Sequence, residues 1–147
     1  MHDAEAQHLY NKGVHYLSKG KSLSALSCFE HALKKKDSPS ICSYYAFCIA
    51  KERGQIKKAM LLCKDAIERE PDNSVHYLNL GRIYLFTRQK AEAITIFREG
   101  LNHEANKEII EELDTLVPRK PPVIPFFKRG NPINKYLGII LKALRLR

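Results

Sequence analysis

Residues 74–107 read SVHYLNLGRIYLFTRQKAEAITIFREGLNHEANK, and the reading of this stretch decides the fold. Tyr77, Leu80, Gly81 and Tyr84 fall at helical spacing, Thr87 to Gln89 make a short turn, and Ala93, Phe97 and Gly100 mark one face of a second helix. The same small and large residues recur 34 positions earlier and again 34 before that: Ala93, Ala59 and Ala25; Phe97, Cys63 and Phe29; Gly100, Ala66 and Ala32. A period of this length, with a helix pair inside each unit, predicts stacked helical hairpins in which each unit buries its apolar face on the next.

Working outward, residues 6–39, 40–73 and 74–107 form three units. In the first, Gly20 closes one helix and Ser22 is the expected cap of the next. In the second, Gly54 and Gln55 make the turn and Pro71 stops the chain's helical run, because proline lacks the donor a helix interior needs. Residues 105–116, with Ile109, Leu113 and Leu116 on one stripe, read as a capping helix over the last unit.

At 147 residues with 44% hydrophobic content the chain suits one ordinary domain. The formal charge of +9 is concentrated: residues 118–147 hold eight basic side chains and no acid, while residues 1–117 carry 17 basic against 16 acidic. Electrostatic reasoning from sequence therefore points to the tail. The amino-terminal stretch lacks a basic start followed by an apolar run, and no apolar stretch approaches the roughly 20 residues that span a bilayer. A cytoplasmic location, with peripheral membrane contact as its variant, is the expectation.

Cys28, Cys42, Cys48 and Cys63 show no Cys-x-x-Cys spacing and lie on helical patterns, which favours buried reduced thiols over zinc or disulfides. The six histidines are dispersed, and no phosphate loop or His-Glu-x-x-His pattern is present. No catalytic, metal or cofactor residues are assigned, and a noncatalytic protein is expected.

The order of small and large residues in the three units resembles that of the tetratricopeptide repeat family. It is carried by Leu9, Gly13, Tyr16, Ala25, Phe29 and Ala32 in the first unit and by Tyr77, Leu80, Gly81, Tyr84, Ala93, Phe97 and Gly100 in the third. The second unit departs, with Phe47 at a usually small position and Ala50 at a usually large one, a swap that can shift its helix pair locally. The resemblance implies an all-α, right-handed superhelical solenoid of three helix-turn-helix repeats over residues 1–117, with a capping helix. Enlarging Ala59 or Ala93 should cost about 1–3 kcal/mol by overpacking.

The first helix of each repeat lines the inner surface of such a solenoid, and the period places Tyr10 and Asn11, then Tyr44, Tyr45 and Cys48, then Asn79, Arg82 and Phe86 along it. An aromatic groove with a few polar fixtures suits a peptide or helix, so a protein-interaction adaptor or scaffold is the leading expectation. Packing inside the domain is the competing role for Tyr10, Tyr44 and Phe86. Some family members clamp the acidic carboxyl end of chaperones with Lys, Asn and Arg; the matching positions here hold Tyr10, Val14, Tyr45, Val75 and Asn79, so that clamp is absent.

Residues 118–147 begin with Pro118, Pro121, Pro122 and Pro125, which favour an extended connection. Phe126 and Phe127 follow beside Lys128 and Arg129, and from Asn131-Pro132 onward Tyr136, Leu137, Ile140, Leu141 and Leu144 make the apolar stripe of an amphipathic helix. Its expected contacts are the repeats themselves, a second copy in a homo-oligomer or another protein. The alternative function is a peripheral membrane-associated assembly factor held to anionic lipid by this tail; nucleic acid ranks last among the partners, since no reading module accompanies the charge.

Overall fold

The computed structural model describes residues 1–117. Phe126, Phe127, Tyr136, Leu137, Ile140, Leu141 and Leu144, and with them the expected linker and terminal helix, lie outside the described residues. Among those described, the elements are helical: α1 (His2–Ser18), α2 (Ser22–Lys35), α3 (Pro39–Arg53), α4 (Ile56–Arg69), α5 (Ser74–Phe86), α6 (Lys90–His103) and α7 (Lys107–Leu116). Met1–Glu111 form one compact unit, and Glu112 begins a second.

Within the first unit the helices pair as α1–α2, α3–α4 and α5–α6, and each hairpin packs on the next through α2–α3, α4–α5 and α3–α5. This is an all-α solenoid of helical repeats. Its core follows the 34-residue period along the second helices: Ala25, Ala59 and Ala93, then Phe29, Cys63 and Phe97, then Ala32 and Ala66 are all 0% exposed. Close approach within a hairpin depends on glycine. A Cβ at Gly13 would lie 2.6 Å from the Phe29 ring, and one at Gly81 would strike Phe97 in the same way. Ile109 of α7 is also fully buried, beside Gly100.

Caps fix the helix ends. Pro39 occupies the first turn of α3, where its missing donor costs nothing. Asn73 caps α5 by accepting from the Val75 amide at 3.1 Å. Ser22 does not cap α2: Lys21 is the flanking residue, and the Ser22 hydroxyl donates instead to the Glu52 carboxylate across the hairpin boundary.

The three hairpin turns share one conformational demand. Gly20 (φ 73°), Gly54 (φ 64°) and Arg88 (φ 59°) stand one period apart and all adopt the left-handed region. Glycine meets this freely, whereas an L side chain there costs roughly 1 kcal/mol.

The second hairpin is out of step with its neighbours by one residue. In the first, the Lys21 amide donates to the Tyr16 carbonyl at 2.9 Å, and in the third Gln89 donates to Tyr84 at 3.0 Å. The period predicts Gln55 to Ala50, but Gln55 donates to Ile49 at 3.2 Å. Ile49 thus stands where Tyr16 and Tyr84 stand, and Ala46 takes the small position that Gly13 and Gly81 hold elsewhere. Burial agrees: Ala46 and Ile49 are 0% exposed, while Phe47 is only half-buried. The helix rotates because an aromatic ring has no room at a site built for glycine or alanine, and the adjacent Ala46 and Ile49 satisfy the packing instead.

Candidate interaction site

The one-residue offset changes which side chains α3 presents. Phe47 reaches α5, its ring 5.6 Å from that of Phe86, and the Arg82 guanidinium lies 5.8 Å over the Phe47 ring. Arg82 Nη2 is also 3.3 Å from Glu108 Oε2, at the start of α7. On the other side of α3, Tyr44 stacks on Phe29 at 5.5 Å and meets the edge of Tyr10 at 5.7 Å. Tyr10, Tyr44, Phe47, Arg82 and Phe86 therefore form a row across the first helices of the three hairpins.

Burial pushes the hydroxyls of Tyr10 and Tyr44 above the usual phenol range. Glu108 adds to the effect at both, after Glu70 at Tyr10 and after Tyr10 at Tyr44. Both phenols stay neutral at physiological pH. Tyr44 is buried, 7% exposed, and packs beneath the row, so the accessible part of the row is Tyr10, Phe47, Arg82 and Phe86 beside the Glu108 carboxylate. Phe86 is 41% exposed and Arg82 is half-buried.

Several residues placed on this surface by the period lie elsewhere. Cys48 is 0% exposed, and burial pushes its thiol up to about 12. Asn79 is also fully buried, donating to Ser43 Oγ at 3.2 Å. Tyr45 is half-buried with Lys58 of α4 6.0 Å over its ring. For Cys48 and Tyr45 the cause is the rotation of α3; for Asn79 it is the junction between α3 and α5. Asn11 is exposed and accepts from Gln7 at 3.0 Å. Phe47 and Glu108 were missed, although a large residue in a small position beside Ala46 was the available signal for Phe47.

A buried polar string lies at the junction. His76 Nδ1 is 2.9 Å from Ser43 Oγ, and His76 Nε2 is 2.8 Å from Glu70 Oε1. Ser, His and an acid in sequence invite comparison with a hydrolytic triad, but Ser43 and His76 are 0% exposed and no substrate atom can reach the hydroxyl. All four cysteines are buried free thiols, and no group of three His, Cys, Asp or Glu side chains among the described residues could hold a metal. Among the same residues no helix is long and apolar enough to cross a membrane.

Residues 62–95, from the second half of one hairpin into the next, match the family model described as tetratricopeptide repeat. Solved structures agree over most of the chain. The first such domain of Spaghetti (RPAP3), bound to an HSP90 peptide, is 21% identical, with 77% of this chain and 93% of that one aligned and a TM-score of 0.60. The Sgt2 domain from Aspergillus fumigatus is 18% identical, with 88% and 93% coverage and a TM-score of 0.60. The second domain of human RPAP3, in complex with an HSP70 peptide, is 20% identical, with 82% and 100% coverage and a TM-score of 0.58. No curated protein sequence is significantly similar to the chain. The protein is an α-helical repeat protein. Its fold is that of the tetratricopeptide repeat domains.

Proposed function

We propose that residues 1–117 act as a protein-interaction module, an adaptor that holds a peptide or helix against Tyr10, Phe47, Arg82 and Phe86, with the buried Tyr44 packed beneath them. The observation that carries this reading is Arg82, held between the Phe47 ring and Glu108 beside the partly exposed Phe86. Aromatic rings and an oriented guanidinium on a rigid wall are the residues that dominate protein interfaces. The aligned domains of RPAP3 carry HSP90 and HSP70 peptides. Here Tyr10 and Val75 stand where the chaperone clamp has lysine, Val14 and Tyr45 where it has asparagine, and the buried Asn79 where it has arginine, so the ligand is not an acidic carboxyl terminus.

The test is selection of displayed peptides on the intact chain, followed by binding of the selected sequences to an Arg82→Gln, Phe86→Ser double variant. Loss of binding with unchanged circular dichroism supports the assignment. Equal binding to both proteins, or tight binding of a peptide ending in Glu-Glu-Val-Asp, overturns it. The second reading, peripheral attachment to anionic lipid or homo-oligomerisation through residues 118–147, rests on the basic amphipathic sequence of that segment.

A further inference from the structure

The body of the chain is nearly neutral in sequence, yet folding does not spread its charges evenly. The hairpin turns come together along one edge of Met1–Glu111. Ser22 at the first turn bonds Glu52 at the second, Arg53 Nη2 pairs with Glu30 at 2.6 Å, and the Phe47–Phe86 contact sets α3 beside α5. Along this edge Lys19 and Lys21 flank the first turn, Lys51 and Lys57 the second, and Arg88 and Lys90 the third. These six are exposed and make no ion pair among the described residues. Arg53 with Glu30 is the matched pair of this edge; at the opposite ends of the helices Lys35 pairs with Glu5, Lys36 with Asp3 and Arg69 with Asp37, beside the exposed Lys34.

Arg88 is the second observation. It takes the left-handed conformation that Gly20 and Gly54 supply at the equivalent positions, so a cation stands at the site where the fold favours glycine. Strain of this kind persists where a side chain is needed for something other than folding. Two apolar side chains share the edge: Leu23, 67% exposed, next to the first turn, and Phe86, 41% exposed, before the third.

We propose that this turn edge is a docking face for an anionic lipid bilayer. Cations in a row with apolar side chains among them suit a flat interface that accepts both headgroup contact and shallow apolar insertion. Short turns offer no helix to enter a nucleic-acid groove, which sets RNA and DNA second. The paired charges at the other ends of the helices orient the body with its turns toward the surface. The inference takes its partner from the membrane reading of residues 118–147 but assigns a separate face.

The experiment is co-flotation of the full chain with vesicles of phosphatidylcholine alone or with a third phosphatidylserine, at low and high salt. Arg88→Gly is the informative variant, because it relieves strain while deleting a cation: its melting temperature should rise as its partition falls by about fivefold. Adding Lys21→Gln, Lys51→Gln, Lys57→Gln and Lys90→Gln should lower partition by more than about a hundredfold. A control with Lys12, Lys34, Lys64 and Lys107 changed to Gln should retain most binding. The tail is intact in every protein, so equal binding of wild type and edge variants overturns this face and leaves the tail as sole anchor. No binding to the phosphatidylserine vesicles at low salt overturns both. Preferential binding to RNA that vesicles cannot displace replaces the lipid assignment with a nucleic-acid one.

Discussion

His76 Nε2 lies 2.8 Å from Glu70 Oε1, and this contact sets the protonation pattern of the whole α3–α5 junction. With its proton on Nε2 facing the carboxylate, the neutral ring leaves Nδ1 as an acceptor. The Ser43 hydroxyl then donates to Nδ1 at 2.9 Å and accepts from Asn79 Nδ2 at 3.2 Å. Every donor in the string meets an acceptor, and Asn79 Oδ1 is the buried polar atom left without a partner among the described residues.

Burial holds the His76 pKa below its ordinary 6.5, outweighing the opposing pull of the Glu70 hydrogen bond and charge, while Arg69 lowers it further. The folded state thus keeps His76 neutral where the unfolded chain would protonate it. Its contribution is complete above pH 6.5 and declines as pH falls from there toward the lower folded value. Urea denaturation at pH 7.5 and pH 5.5 should show a loss of stability that is smaller in His76→Gln; an identical loss in both proteins would remove this histidine as the cause.

Ser43→Ala deletes the group that both His76 Nδ1 and Asn79 Nδ2 address. Leaving buried partners unpaired should cost about 1–3 kcal/mol. A double-mutant cycle with His76→Gln should be non-additive, since the two side chains share one string. Additive effects would show that the contacts act independently.

The offset of the second hairpin gives a pair of opposed substitutions. Ala46→Leu forces bulk into a fully buried site and should destabilise by about 1–3 kcal/mol. Phe47→Ala removes a half-buried ring packed on Phe86 and Arg82 and should cost less. Chemical denaturation of the two variants checks the order, which reverses if strict 34-residue spacing governs α3.

Burial raises the thiol pKa at all four cysteines, to about 11 at Cys42 and about 12 at Cys48. Thiolate is the reactive form. A disulfide reagent at pH 8 should therefore label the native protein slowly and the urea-unfolded protein at four sites within minutes. Rapid labelling of one native thiol would reveal an opening that exposes it.

Spacing alone located the second helices, because Ala25, Ala59 and Ala93 and the residues that follow them keep the 34-residue period without exception. It misplaced Tyr45 and Cys48 because a period counts residues and does not see a turn that takes up one more of them. Equivalent residues also differ by where they stand in the stack. His8 and Asn11 lie two periods before His76 and Asn79, yet the first pair is exposed and the second buried, since α1 has no preceding hairpin among the described residues to cover that face. The basic edge was illegible for a related reason. Lys21, Lys57 and Lys90 are far apart along the chain, and the antiparallel course of each hairpin is what gathers them.

The slipped register of α3 makes the hairpins non-interchangeable modules. Grafting a copy of the third hairpin over the second would give these two hairpins one sequence and would conserve the alanine ladder. It would also withdraw the ring on which Arg82 rests. The idealised array would gain regularity and lose the stacked ring and cation that join its second and third hairpins.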